Sequence, residues 1–221
     1  MKVGKLIEIF RHEVEDTQKP YLWSDPEVMA YLNEAEVEAC RRARLLVDSS
    51  TAAVCQISIT ADEQNFALDP RVIMIRRAKL ADESYPLQKK SQAALDDEYP
   101  AWDGDVASTP QYYFLDSGSS SISLYPKHDA TDTLHLTVVR EPLNELNDDD
   151  ETPEIPSRYH FGLLNWMKHR AYMKPDSETK NDQLAVLNLQ LFEQEFGKRR
   201  TALDERFEAE HEGYDMDHGA Y

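Results

Sequence analysis

His160 and His169 fall on one predicted helix and are the first residues of this chain whose type suits chemistry. A helical zinc site needs two histidines about one turn apart, as in HExxH, so that both imidazoles meet one ion. A separation of nine residues is half a turn off that requirement, and the cysteines complete no ligand set. The run Asp148-Asp149-Asp150 could attract a divalent cation, but it lacks the glycine and closing glutamate of a calcium loop and reads as solvated linker. Ser119-Ser120-Ser121 beside Gly118 would need a strand-to-helix elbow to become a nucleophile, and neither its spacing nor its context supplies one. Asp103-Gly104-Asp105 offers carboxylates for acid–base work only if geometry converges them, and as sequence it is a loop. The seven glycines include no GxGxxG or GxxxxGK[ST] order, which excludes the usual phosphate-cradling loops. The expectation is a protein with no catalytic residues, no metal and no cofactor.

Charge narrows the partners. Against 24 Lys and Arg stand 42 Asp and Glu, a formal net charge of -18, the wrong sign for a freestanding nucleic-acid binder that must displace counterions from phosphates. Basic residues nevertheless cluster, as Arg41, Arg42 and Arg44, then Arg71, Arg76, Arg77 and Lys79, then Lys198, Arg199 and Arg200. In so acidic a chain these read as ion-pairing surfaces between subunits. Cys40 and Cys55 lie in apolar contexts without metal spacing and read as small buried thiols in a reducing compartment. With no signal-like start and no apolar run of about eighteen residues, the chain is expected to be soluble and made in the cytoplasm.

Several elements must position these groups. Val3, Leu6, Ile7, Phe10 and Val14 share one face of a first helix, with Lys5, Glu8, Arg11 and Glu15 off it. A second helix opens at Ser24 as N-cap, with Glu27 as its capping-box partner and Trp23 and Val28 at the positions of a hydrophobic staple, and is expected to run to about Val47. From Cys55 to Thr60 the period changes to two, predicting a strand. Asn65–Leu68 and Arg71–Leu80 around Asp69-Pro70 predict a hairpin. QYYFLD, SISLYP and LHLTVVREP supply three more strands, with a short helix near Ser91–Glu98. The acidic, proline-containing 144–156 segment has no period and reads as a linker. Helices then resume, one capped by Ser157 and carrying Tyr159, Leu163, Trp166 and Met167, and a longer one on which Leu184, Leu187, Leu191 and Phe192 continue into Phe196 before Gly197. The pattern is α+β, with boundaries expected at 1–51, 52–143, 144–203 and a flexible tail at 204–221.

The order of these strings resembles the head-to-tail adaptor (connector) proteins of tailed bacteriophages. LIEIFRHEVEDTQKPYLWSDPEVMAYLNEAEVEACRRARLLVD resembles their first two helices, FALDPRVIMIRRAKL the following strand pair, and LHLTVVREPLNEL with PEIPSRYHFGLLNWMKHRAYMKPDSET the return strand and next helix. The resemblance implies an α-helical core of about four helices built from both chain ends, with a mostly β insert between the second and third. It also implies a dodecameric ring in the virion neck, joining the portal to the next tail component, nozzle or stopper, with genomic DNA passing through without specific binding. No membrane is involved. On that reading Phe207, Tyr214, Met216 and Tyr221 in the tail face the portal, Arg41, Arg42, Arg44, Arg199 and Arg200 face neighbouring subunits, and Trp23, Ser24 and Glu27 are structural. The competing expectation is a non-catalytic cytoplasmic binding module that uses the β insert for recognition.

Overall fold

The structure is a computed structural model that describes residues 1–115, 120–176, 179–204 and 207. In chain order its elements are α1 (Val3–Glu13), α2 (Asp25–Ala43), β1 (Leu46–Asp48), α3 (Ala52–Cys55), β2 (Gln56–Ile59), β3 (Asn65–Ala67), β4 (Val72–Leu80), β5 (Gln88–Lys89), α4 (Gln92–Glu98), β6 (Tyr112–Leu115), β7 (Ser121–Tyr125), β8 (Asp132–Arg140), α5 (His160–Met173) and α6 (Asp182–Phe196). The class is α+β. The chain divides into a helical unit, Met1–Leu46 with Arg140–Arg199, and a β-rich unit, Val47–Val139 with Arg200–Tyr221.

The helical unit closes around one apolar cluster to which Phe10, Leu32, Leu163, Met167 and Phe192 contribute from all four helices. Each is fully buried, contributing about 1.5–3 kcal/mol per side chain. The first helix departs from its sequence reading at Arg11, which lies not on a wet face but at 6 % exposure. Its guanidinium donates to Asp16 at 2.6 Å, to Asp25 at 2.5 Å and to the Trp23 carbonyl at 3.1 Å, so the cation is compensated where it is buried.

The second helix stops at Ala43 rather than Val47. Arg44 turns into the left-handed region (φ 53°), where its amide still reaches the Cys40 carbonyl at 2.8 Å, and Leu46–Asp48 beyond it becomes β1. The strand expected from Cys55 to Thr60 forms as β2, and residues 52–55 ahead of it coil into α3. Asp48 is the cause: its carboxylate accepts the amides of Ser50 and Thr51 at 2.8 and 3.1 Å, organising a turn that starts the helix.

The 144–156 segment is not a free linker. Leu146 and Ile155 are 6 % and 2 % exposed and join the apolar cluster. Asn33 donates to the Leu146 carbonyl at 2.9 Å and accepts its amide at 2.8 Å, and Glu36 accepts the Ile155 amide at 3.1 Å. The orphan amides of Val3 and Gly4 at the start of α1 donate to the carbonyls of Glu151 and Asp149, 2.9 Å each, so this strap performs the capping that Lys2 cannot. Ser157 opens a 3-10 turn, and α5 begins at His160.

In the β-rich unit β8 pairs with β1, β2 and β4 in one sheet, with Gln56 opposite His135 and Ile59 opposite Asp132. The second sheet runs β3-β7-β6-β5, antiparallel except for β5 and β6. The expected hairpin therefore does not form: β3 pairs with β7 and β4 with β8. Asp69 does make the turn, accepting the Arg71 amide at 2.9 Å, but the two strands leave it for different sheets. The helix expected near residue 91 is α4, capped by Ser91, whose hydroxyl accepts the Ala94 amide at 3.2 Å.

Candidate assembly surface

The residues with chemical potential do not converge. His160 is buried and donates from Nε2 to the Ile155 carbonyl at 2.9 Å, while His169 bonds through Nδ1 to the Ala185 carbonyl at 2.8 Å. Both imidazoles hold backbone rather than an ion, and among the described residues no group of three or more His, Cys, Asp or Glu is placed for a metal. Burial pushes the Cys40 thiol far up, which makes it inert. Burial likewise raises Glu36, which the Ile155 amide partly offsets, and Glu195. These are scattered single groups, not a cluster tuned for proton transfer. No helix among the described residues is long and apolar enough to cross a membrane. Gly118 and Ser119 lie outside the described residues.

The sequence-predicted cap at the start of α2 ties two helices together. Glu27 Oε2 accepts both the Ser24 amide and the Ser24 hydroxyl at 2.9 Å, in a reciprocal capping box. Its other oxygen takes the Lys174 ammonium at 2.8 Å, just past the end of α5. The Lys174 hydrogen bond and the Ser24 amide hold this carboxyl below the usual range. Trp23 packs edge-on to Phe10 and Tyr172, with centroids 6.0 and 6.3 Å away, and its indole donates to the Ala171 carbonyl at 3.1 Å.

The five arginines assigned to subunit contacts separate into different environments. Arg42 turns inward, its side chain 4 % exposed, donating to Glu38 at 2.9 Å and lying 3.8 Å from Glu193 of α6. Its guanidinium stands 5.1 Å from the ring centres of both Trp166 and Phe192, so it braces α2, α5 and α6 within one copy. Arg41, Arg44 and Arg200 are half-buried and engage other groups of the chain. Arg199 is more than half exposed, 3.9 Å from Glu38. In the tail Phe207 is 59 % exposed, whereas Tyr214, Met216 and Tyr221 lie outside the described residues.

A surface that the sequence reading missed lies on α6. Ala185, Asn188, Phe192 and Phe196 form its buried stripe, leaving Leu184, Leu187 and Leu191 exposed at 36, 49 and 39 %. The reason is the closeness of α5. A Cβ on Gly162 would collide with the Glu195 carboxylate and fall 2.7 Å from the Phe196 ring, and the Ala185 carbonyl is in hydrogen-bond reach of His169. Helices so close accept Gly and Ala between them and turn the leucines to the flank. Of the exposed large apolar residues described in the helical unit, only Leu22 lies off these two helices: Phe161 and Met173 are on α5, and Leu184, Val186, Leu187 and Leu191 on α6. On α6 the three leucines share one flank and Val186 lies on the other.

No curated protein matches the chain. Over residues 1–212, both units together, it matches the family described as SU10 adaptor protein. The chain belongs to the SU10 adaptor protein family and is a phage adaptor, a structural protein and not an enzyme.

Proposed function

We propose that this adaptor forms a ring below the portal in the virion neck, joining the portal to the next tail component, nozzle or stopper, and lining part of the channel through which the genome leaves. The observation that carries the reading is the family match across residues 1–212, which spans nearly the whole chain rather than one unit. The ring is dodecameric, with head-to-tail contacts between copies in which Arg41, Arg44, Arg199 and Arg200 face the neighbour's carboxylates. A net charge of -18 suits a channel wall that DNA must pass without sticking, since phosphates gain nothing from an acidic surface. Synthesis takes place in the host cytoplasm.

The tail from residue 204 onward is the portal-binding element in this reading. Phe207, Tyr214, Met216 and Tyr221 are its anchors, aromatic or soft side chains whose burial on the portal offsets the entropy of ordering an acidic segment. The test is reconstitution with purified portal. The full chain is expected to co-sediment with portal as a ring visible by electron microscopy. A chain lacking residues 204–221 is expected to keep its helical content and melting temperature and to lose co-sedimentation. Full binding by the truncated chain would move the contact to the helical unit or the β insert.

A further inference from the structure

The middle of β4 holds cations that nothing else in its sheet answers. Arg76 and Arg77 stand exposed between the buried Ile75 and Ala78, and Lys79 is half-buried. Among the described residues none of the three has an ion-pair partner, although the chain carries 42 acids to 24 bases. The exposed residues of β2 and β8 in the same sheet, Gln56, Ser58 and His135, add no carboxylate. Asp69, just before the strand, is engaged by Arg71 at 2.7 Å, and Asp82 and Glu83 follow past Leu80. β4 is also an edge. It pairs with β8 and, among the described residues, its other side meets only Leu87, at Ala78, so Ile73–Arg77 offers backbone donors and acceptors to an added strand. Two such edges would repel each other through their arginines, whereas an acidic strand would be attracted.

We propose that in the free protein this edge is occupied by the chain's own acidic segment from Glu208 onward, extended along β4. The chain returns to the β-rich unit at Arg200. Its last fourteen residues carry Glu208, Glu210, Glu212, Asp215 and Asp217 and no lysine or arginine. At about 3.3 Å per residue they reach roughly 45 Å, longer than the strand they are to cover. Glu208, Glu210 and Glu212 recur at every second residue, the period that sets three side chains on one face of a strand. There they meet Arg76, Arg77 and Lys79 while main-chain hydrogen bonds extend the sheet, so charge selects the segment and the backbone holds it. The tail is thereby stored on the molecule until another surface competes for it. The contact belongs to the free chain, so it stands or falls apart from the portal reading.

The test uses the full chain without portal, carrying a nitroxide through Ala209→Cys; Cys40 and Cys55 are buried and leave the added thiol to react. At about 20 mM salt the label is expected to report slow motion, and about 1 M salt, where the screening length is roughly 3 Å, is expected to free it. Arg76→Glu with Arg77→Glu is expected to free it at low salt with circular dichroism unchanged. Lys180→Glu, in the helical unit, is expected to leave it slow. Amide exchange across Ile73–Arg77 is expected to be about tenfold slower in the wild-type chain than in Glu208→Gln/Glu210→Gln/Glu212→Gln, which alters no residue of β4. A label mobile at low salt, slow motion that survives the arginine reversals, or exchange indifferent to the tail would each overturn the proposal. So would slow motion lost on dilution from about 100 to about 1 μM, which would place the tail on another copy.

Discussion

Arg11 and Asp16 meet at 2.6 Å with side chains only 8 % and 2 % exposed, an ion pair formed across the end of α1 and withdrawn from water. Breaking such a pair leaves a buried charge uncompensated. Asp16→Asn is therefore expected to cost about 3 kcal/mol in a denaturant titration. Asp25→Asn, at the wet end of the same network, is expected to cost far less, since that side chain is 72 % exposed. Equal losses from the two substitutions would show that Arg11 is satisfied mainly by the Trp23 carbonyl.

The capping box gives a second measurement. Ser24→Ala removes the hydroxyl shared with Glu27 and is expected to lower stability by about 1 kcal/mol. Ser24→Asp, which can still accept from the first turn, is expected to restore much of that loss. An unchanged thermal midpoint for the alanine variant would mean that the Lys174–Glu27 bridge alone holds the start of α2.

Gly162 sits where α5 and α6 come closest. Gly162→Ala would place a methyl group against the buried Phe196 ring and is expected to destabilise the chain by about 1–3 kcal/mol despite the better helix propensity of alanine. Gly104→Ala, with open space around it, serves as the control and is expected to change little. Stabilisation by Gly162→Ala would show that the helices can move apart at no cost.

His160 supplies a pH dependence of known sign. Burial holds its imidazole below the ordinary 6.5, so the unfolded chain takes up the proton first as the pH falls. Its contribution to stability is complete above about 6.5 and is lost as the pH drops from there toward the lower folded value. His160→Asn is expected to be less stable than wild type at about pH 8 but to lose less on going to about pH 5.5. Parallel profiles for the two proteins would assign the acid sensitivity to other groups.

Local features were legible in the sequence and partners were not. The starts of α1 and α2 followed from the spacing of Val3, Leu6 and Phe10 and from the Ser24–Glu27 pair, because those signals lie within a turn or two of each other. The partners of β3 and β4 are set by pairing across the whole insert, which strand propensity does not encode. Arg11 read as surface because a charged residue alone does, and only its meeting with Asp16 and the Trp23 carbonyl makes burial tolerable. The strap was hidden because Leu146 and Ile155 are single anchors among acidic residues, with no period to reveal them. On α6 the leucines drew attention away from Ala185 and Asn188, since hydrophobicity alone cannot say that α5 would come too close for leucine. The exposed leucines were missed for that reason.

The helical unit is assembled from residues 1–46 and 140–199, and this sets a clock on biosynthesis. A ribosome makes α1 and α2 first, then the entire β-rich insert, and only afterwards the helices that cover Phe10 and Leu32. The insert has its own sheets to complete while the opening helices wait with their apolar faces unmatched. Because α6 follows α5 in the chain and packs against it, the Leu184–Leu191 stripe reaches its native setting only after both helices have emerged.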